Sequence, residues 1–320
     1  MESAAGAIYH WPMNTATLAT RGSGAPALLV PALLACYLIW GSTYLAIRYA
    51  LVSFPPFFQM GTRFLAAGAL LMGWVVWRRK TRGAAAPALP TPTEWRNALV
   101  VGTLMLGGGM GMMASAEQHI GSGLIATFIA VVPMLVCGWG LLFGQRPSRL
   151  EFAGMAVGLT GVLLLAAGAS FSASPIGIAL IAAAALAWSL GSVLSTNKLA
   201  LAPGAAGFAS EMLCGGAVLM LVSLALGEQP ATHPQPLAIA AWLYLVVFGS
   251  LIAFSAYLYL LGAATPAVAT SYAFVNPLIA LFLGVVVAAE AVTGAEWIAC
   301  GVVLAGVFLI FRGKTRRKPE

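Results

Sequence analysis

The sequence contains no aspartate, and charge of any kind is scarce: 8% of its 320 residues are Asp, Glu, Lys or Arg. Soluble domains carry about 25% charged residues, so composition excludes a soluble protein. Catalytic motifs are missing too. There is no GxSxG, no HExxH and no Walker loop. Hydrolytic or ATP-driven work would need one of them. Cys36, Cys137, Cys214 and Cys300 lie singly in apolar runs, with no CxxC spacing. They read as small buried hydrophobes, not as disulfides or metal ligands. His10, His119 and His233 are scattered and form no metal motif. No metal and no cofactor are therefore expected. Residues 1–25 lack both a continuous apolar core and a charge cluster, which argues against a cleaved signal peptide. They read as a cytoplasmic tail, residues 1–26. The net charge of +7 does not indicate a nucleic-acid partner, because the position of the charges matters more than their sum.

What is present is hydrocarbon. The chain is 61% hydrophobic, with a mean hydropathy of +0.93. Apolar runs fall at 27–47, 57–77, 97–116, 120–143, 151–168, 175–196, 205–227, 237–261, 265–289 and 294–311. A run of about 18 or more apolar residues is long enough to cross a bilayer core of about 30 Å. The pattern predicts an all-α membrane protein with ten transmembrane helices. Connections are short except for 78–95, which is Pro/Ala-rich and basic. With the N-terminus inside, fourteen of the sixteen basic residues fall in cytoplasmic segments, including the basic tail 312–320. The exceptions are Arg48 and Arg63. The positive-inside rule thus predicts both termini in the cytoplasm.

The second half repeats the first. At an offset of 148, Trp40, Pro55, Leu65 and Gly68 match Trp188, Pro203, Leu213 and Gly216. At 144, Phe128, Pro133 and Gly140 match Tyr272, Pro277 and Gly284, and at 145, Glu151, Gly161, Val162 and Leu164 match Glu296, Gly306, Val307 and Leu309. Each copy, residues 27–168 and 175–311, holds five spans. An odd number forces the second copy to enter the membrane upside down. Inverted repeats mark secondary transporters, with the site near the midplane where the repeats meet.

Several residues sit where an apolar run should not hold them. A proline inside a span removes one backbone hydrogen bond, so Pro133 and Pro277 are expected helix kinks. Beside Pro277, the broken backbone with Thr270, Ser271, Tyr272 and Asn276 is tolerable only against protein or a wet cavity. Arg63 lies inside the second span, where a charge costs about 2.5–3.5 kcal/mol on insertion scales. Glu117, at similar depth, is its expected partner. The pair is either a structural lock or a substrate or proton site. Glu211 is the repeat mate of Arg63 and has no basic neighbour except Lys198, so it is either a proton carrier or a capped structural group. Trp40 and Trp188 are repeat mates, as are Tyr44 and Ser192; they either pack or line a cavity. Tyr257, Tyr259, Tyr272, Phe274 and Asn276 form an aromatic set with a polar tip, suited to stacking on an amphipathic solute. Met105, Met110, Met112 and Met113 flank Gly107, Gly108, Gly109 and Gly111, as flexible filler or as a pliable pocket wall. The Gly154/Gly158 and Gly301/Gly306 spacings read as small-residue packing seams that are compatible with a homodimer.

Five stretches carry a resemblance: Trp40-Gly-Ser-Thr-Tyr44; Arg63-Phe-Leu-Ala-Ala-Gly68; Ala116-Glu-Gln-His119 with Ser122-Gly123; Glu211-Met-Leu213; and Ala269-Thr-Ser-Tyr-Ala-Phe-Val-Asn-Pro277. In this order over nearly all of 27–311, the chain resembles the EamA-type branch of the drug/metabolite transporter superfamily. The resemblance implies two inverted repeats in a bacterial inner membrane and export of small metabolites, such as amino acids, or of drugs. Carried onto this chain, it implies a path lined by Trp40, Arg63, Glu117, Tyr272 and Asn276. One position departs from the family pattern: Gln145 stands where an acidic residue often closes the fourth helix, while the second repeat keeps Glu290.

The expectation is a secondary exporter working by alternating access, with H⁺ antiport through Glu117 or Glu211. A facilitator without proton coupling is the alternative. A channel would show charge rings or a continuous wet stripe, and neither is visible. A membrane-embedded enzyme lacks its catalytic set.

Overall fold

With no water in the bilayer core, each backbone amide must be satisfied inside its own segment, which a helix does. The computed structural model describes residues 25–82, 88–120, 125, 128–167, 174–288 and 293–315. Among these residues every regular element is helical. Helix α1 runs through Ala25–Leu34, a π-helical stretch Ala35–Ile39 and Trp40–Leu51. Helix α2 is Pro56–Arg82. Helix α3 comprises Pro92–Gly102, the π-helical Thr103–Gly111 and Met112–Ala116. Helices α4 to α7 are Val132–Leu141, Arg149–Ala167, Pro175–Asn197 and Ala205–Ala225. Helix α8 comprises Pro236–Tyr244, the π-helical Leu245–Phe254 and Ser255–Ala263. Helix α9 is split into Pro266–Ala269 and Tyr272–Ala288, and α10 is Gly294–Thr315. Six of these, α1, α2, α3, α6, α7 and α8, are long and apolar enough to cross a membrane; Val132–Leu141 and Trp297–Gly313 are shorter apolar helices. Proline at the first turn, where its missing N–H costs nothing, starts α3, α6, α8 and α9. Residues 1–24, Ser122, Gly123, Glu290 and the tail from 316 lie outside the described residues.

The two repeats do not form side-by-side domains. The tightest pairs are α5 with α10 and α2 with α7. Beyond these, α1 packs on α8 and α9, whereas α6 packs on α3 and α4; α2 packs on α8 and α7 on α3. Each contact has its counterpart with the repeats exchanged, so the helices of one repeat find their partners in the other.

Glycines set these approaches and reveal the symmetry. A Cβ added at Gly68 would lie 3.0 Å from Leu213, and one at Gly216 would lie 2.9 Å from the backbone of Leu65. Gly68 and Gly216 are repeat mates, as are Leu65 and Leu213, so the contact is reciprocal. A Cβ at Gly161 would meet Val303 and Ala299; one at Gly306 would meet Gly158 N at 2.5 Å and Gly154 O at 2.7 Å. In both pairs the residue numbers rise on one helix as they fall on the other. Mates that pack antiparallel are what an inverted repeat requires.

This corrects one expectation. The seam of Gly154, Gly158 and Gly306 is buried within the chain between α5 and α10 and is not free for a homodimer. Only Gly301 of that set faces open space.

The kinks also differ in place. Pro133 sits in the first turn of α4, directly after the turn at Ala130 and Val131. Pro277 lies within an unbroken helix; the interruption in α9 comes earlier, at Thr270 and Ser271. There the Thr270 hydroxyl donates to the Pro266 carbonyl and Ser271 to that of Val268, both at 2.7 Å. Such back-bonding competes with the helical ladder. Ala273 N–H and Phe274 N–H then bond three residues back, to Thr270 and Ser271, tightening the turn.

Each end of the bundle is stitched separately. At the basic end Asn97 donates to the Ala200 carbonyl at 2.9 Å, and Gln145 to Asn197 at 3.1 Å. At the other end Glu228 accepts from the backbone N–H groups of Phe57 (3.2 Å) and Phe58 (2.7 Å), capping α2 from the α7–α8 connection. Gly306→Val should lower the melting temperature of the detergent-solubilised protein by an amount equivalent to roughly 1–3 kcal/mol, the usual cost of overpacking. Gly301→Val should leave it unchanged. A thermal-stability assay read by size-exclusion chromatography compares the two directly.

Candidate functional site

Four aromatic rings from four helices meet at the centre. Trp40 of α1 and Trp188 of α6 lie 5.6 Å apart, centroid to centroid, in an edge-to-face pose. They are repeat mates in contact, so they straddle the pseudo-two-fold axis. Tyr272 of α9 lies 4.7 Å from Trp40; Tyr257 of α8 lies 5.2 Å from both tryptophans. Trp40 and Trp188 sit in mid-helix, away from any interfacial belt. The π-helical stretches of α1, α3 and α8 surround this cluster. Such bulges recur at functional sites because they turn side chains out of the ordinary helical register.

On the side of the rings away from the basic end lies a cavity of about 60 Å³. At roughly 10–15 Å³ per water centre, that is room for a few waters. Trp40, Thr43, Tyr44, Trp188, Tyr272 and Asn276 form its walls, together with Gly109, Met110 and Met113 of α3 and apolar residues of α4 and α6. Five of the residues expected on the path therefore converge: Trp40, Tyr44, Trp188, Tyr272 and Asn276. Met110 and Met113 join the wall, as the pliable-pocket reading allowed.

Two lining residues carry polar atoms with no hydrogen-bond partner, the Trp188 Nε1–H and the Asn276 Oδ1. The Trp188 nitrogen lies beside the Tyr257 and Tyr272 hydroxyls without bonding geometry to either. Trp40 differs from its mate: its Nε1–H donates to the Gly249 carbonyl at 3.2 Å.

The other side of the rings is closed. Tyr257 is fully buried, and its hydroxyl is 2.9 Å from that of Ser192. The Tyr37 and Ser271 hydroxyls are 2.6 Å apart. At the repeat offset of 148, Tyr37 is the mate of Ala185 and Cys36 the mate of Ala184. α6 thus places two alanines on the cavity wall where α1 places larger side chains across the closed side. Tyr257 supports the floor and does not line the cavity. Phe274 leaves the cluster and packs its ring over Gly158 of α5.

Arg63 does not meet Glu117. Its Nε–H donates to Ser250 Oγ at 2.7 Å, Nη1 approaches Met60 Sδ at 3.5 Å, and its guanidinium stands 4.8 Å above the Phe64 ring centre. Arg63 is wholly buried, and Nη2 has no partner. The reason is azimuthal. Arg63 faces α8, while Glu117 at the end of α3 lies within electrostatic reach of Arg48 and Tyr44. Glu211 is also wholly buried, and neither of its oxygens has a partner. Among the described residues no cluster of His, Cys, Asp or Glu could hold a metal. Ser250 and Gly249 were not singled out from the sequence; a Gly-Ser pair in the middle of an apolar run was the available signal.

An inverted-repeat bundle with a cavity on its axis is the architecture of a membrane transporter. The chain belongs to the EamA-like transporter family, whose profile matches residues 28–167 and again 175–312. It is 40% identical over 287 residues to the uncharacterized inner membrane transporter YedA of Escherichia coli (strain K12), covering 89% of this chain and 91% of that one. It is 27% identical over 282 residues to protein PecM of Dickeya dadantii, covering 85% and 86%. A solved crystal structure shares the fold at a TM-score of 0.73, with 22% identity over 91% of this chain and 98% of the other.

Trp40→Phe and Trp188→Phe remove similar volumes from neighbouring positions, but only the first breaks a hydrogen bond. The Trp40 variant should be the less stable by about 0.5–1.5 kcal/mol, the net worth of one such bond. Parallel thermal melts in one detergent measure the difference, and equal melting temperatures would count against the Gly249 contact.

Proposed function

We propose that this protein is a secondary transporter that exports small metabolites, amino acids or related compounds, or drugs, across the inner membrane by alternating access. The observation that carries the reading is the pair of repeat-mate tryptophans in contact at 5.6 Å with a cavity on one side only. In an inverted repeat, exchanging the conformations of the two halves moves the opening to the other side. The cavity walled by Ala184 and Ala185 would then close, and the side sealed by Tyr37–Ser271 and Tyr257–Ser192 would open. Family membership and the resemblance to named transporters support the same reading. The basic residues at one end support an orientation with both termini in the cytoplasm. In that orientation the cavity faces outward.

Coupling is to protons, with Glu211 as the preferred carrier and Glu117 as the second candidate. Glu211 is buried in lipid-depth protein with both oxygens unbonded and no cation beside it, whereas Glu117 has Arg48 within reach. A buried carboxylate without a partner is costly as an anion. A site that must take and release a proton as water reaches it uses that cost.

Uptake into inside-out membrane vesicles, measured over a panel of labelled amino acids and lipophilic cations, tests the mechanism. The expected result is saturable, pH-driven uptake of one class. An uncoupler abolishes it, and Glu211→Gln lowers it at least about tenfold. Uptake that survives both the uncoupler and the Glu117→Gln, Glu211→Gln double substitution would make the protein a facilitator.

A further inference from the structure

Arg63 is a wholly buried cation whose bonding is incomplete. Its described contacts are one hydroxyl, one thioether sulfur and the face of the neighbouring Phe64 ring, with Nη2 left without a partner. A guanidinium holds its charge in proteins, and a charge at this depth calls for a counter-charge or water. Among the residues whose side chains are described, no carboxylate pairs with it. Glu94, Glu151 and Glu228 are bonded to backbone N–H groups elsewhere. Glu117 has Arg48. Glu211 is the repeat mate, but the antiparallel α2–α7 register sets Leu213 against Gly68 and Met220 against Gly61, which puts Glu211 opposite residue 70, seven residues from Arg63. Glu211 therefore stands well along the axis from Arg63, by about 10 Å at 1.5 Å per residue.

The unpartnered nitrogen lies directly behind the cavity wall. A Cβ added to Gly249 would fall 2.8 Å from Arg63 Nη2 and 3.4 Å from Thr43 Cγ2. Thr43 lines the cavity, and so does Trp40, whose indole nitrogen bonds the Gly249 carbonyl. With no side chain at Gly249, the guanidinium packs flush against the back of the wall, where even a methyl group would overlap Nη2. The cavity itself offers aromatic faces, a free indole N–H on Trp188 and a free amide oxygen on Asn276.

Resting on the transport reading above, we infer that the cavity, once widened to admit a solute, selects those bearing a carboxylate beside an aromatic or apolar body, with Arg63 as the counter-ion standing behind the wall at Gly249. The anion supplies the charge that the fold withholds from Nη2. The ring stacks on Trp40, Trp188 and Tyr272. Arg63 is thereby a specificity-determining residue, not a structural lock.

Equilibrium binding of radiolabelled phenylacetate and its neutral isostere phenylacetamide, to the full chain in nanodiscs, tests this without relying on transport. Wild type should bind phenylacetate at least about tenfold more tightly, through attraction to a buried charge. Arg63→Met should erase that preference and leave phenylacetamide binding unchanged. Gly249→Ala keeps the charge but pushes the guanidinium back from the wall, and should weaken phenylacetate alone; it serves if the Arg63 variant fails to fold. Equal binding of the two probes to wild type, or a preference that persists in Gly249→Ala and Arg63→Met, overturns the inference and leaves the transport reading intact. Binding of neither probe to folded wild type also overturns the inference, and the vesicle uptake described above decides the transport reading separately.

Discussion

Close backbone approach at glycine is the constraint on which this structure depends. Lipid chains are as apolar as leucine, so helices in a bilayer gain little from hiding hydrocarbon and associate through tight packing instead. Here the tight packing is placed almost wholly between repeats. Gly61 and Gly68 meet α7, Gly216 meets α2, and Gly154, Gly158 and Gly306 bring α5 against α10. Because the contacts are reciprocal, one pseudo-two-fold axis organises everything else. It brings Trp40 against Trp188, and it turns the three π-helical stretches toward the centre.

A polar group in such a bundle has few neighbours to choose from, and its unpaired atoms are informative. Most buried hydroxyls here bond back to their own helix, as Thr43, Ser192, Ser210 and Thr270 do. Buried polar atoms without a partner include those of Trp188 and Asn276 at the cavity, Arg63 behind its wall and Glu211 at the mated position on α7, beside others on Gln59, Asn97, Glu117, Glu151 and Ser255. Leaving such groups unbonded costs about 1–3 kcal/mol each, more when charged. The asymmetry between Ala184–Ala185 and Cys36–Tyr37 shows how a symmetric frame holds an asymmetric state. The same helix position carries a small side chain in one repeat and a larger one in the other.

Much of this was legible in the sequence. Hydropathy and an odd-numbered internal repeat foretold an inverted helical bundle, and mid-span polar residues beside a proline foretold Tyr272 and Asn276 at its centre. The pairing of Trp40 with Trp188 was visible only as an offset of 148. What escaped was direction around the helix axis. Arg63 and Glu117 share a depth, but depth says nothing of which neighbour a helix face meets, and α2 gives that face to α8. Ser250 and Gly249 escaped for the same reason, since a partner 187 residues away leaves no local pattern. The break in α9 moved from Pro277 to Thr270–Ser271 because two hydroxyl residues in succession compete for carbonyls one turn before the ring intrudes. The glycine seams were read correctly as packing surfaces, but spacing alone does not say whether the partner is another helix of the same chain or a second copy.

The crosswise packing has a bearing on how the chain is made. When the first five helices have emerged from the ribosome, Gly61, Gly68, Gly154 and Gly158 have no partners, since these arrive only with α7 and α10. The nascent half-molecule is a set of loosely held spans with Arg63 unaccommodated, because Ser250 has yet to be synthesised. Assembly therefore waits on the last helix. A chain truncated before α10 would remain in the membrane as an open assembly, with the small-residue faces of α5 turned to lipid and available to quality-control proteases.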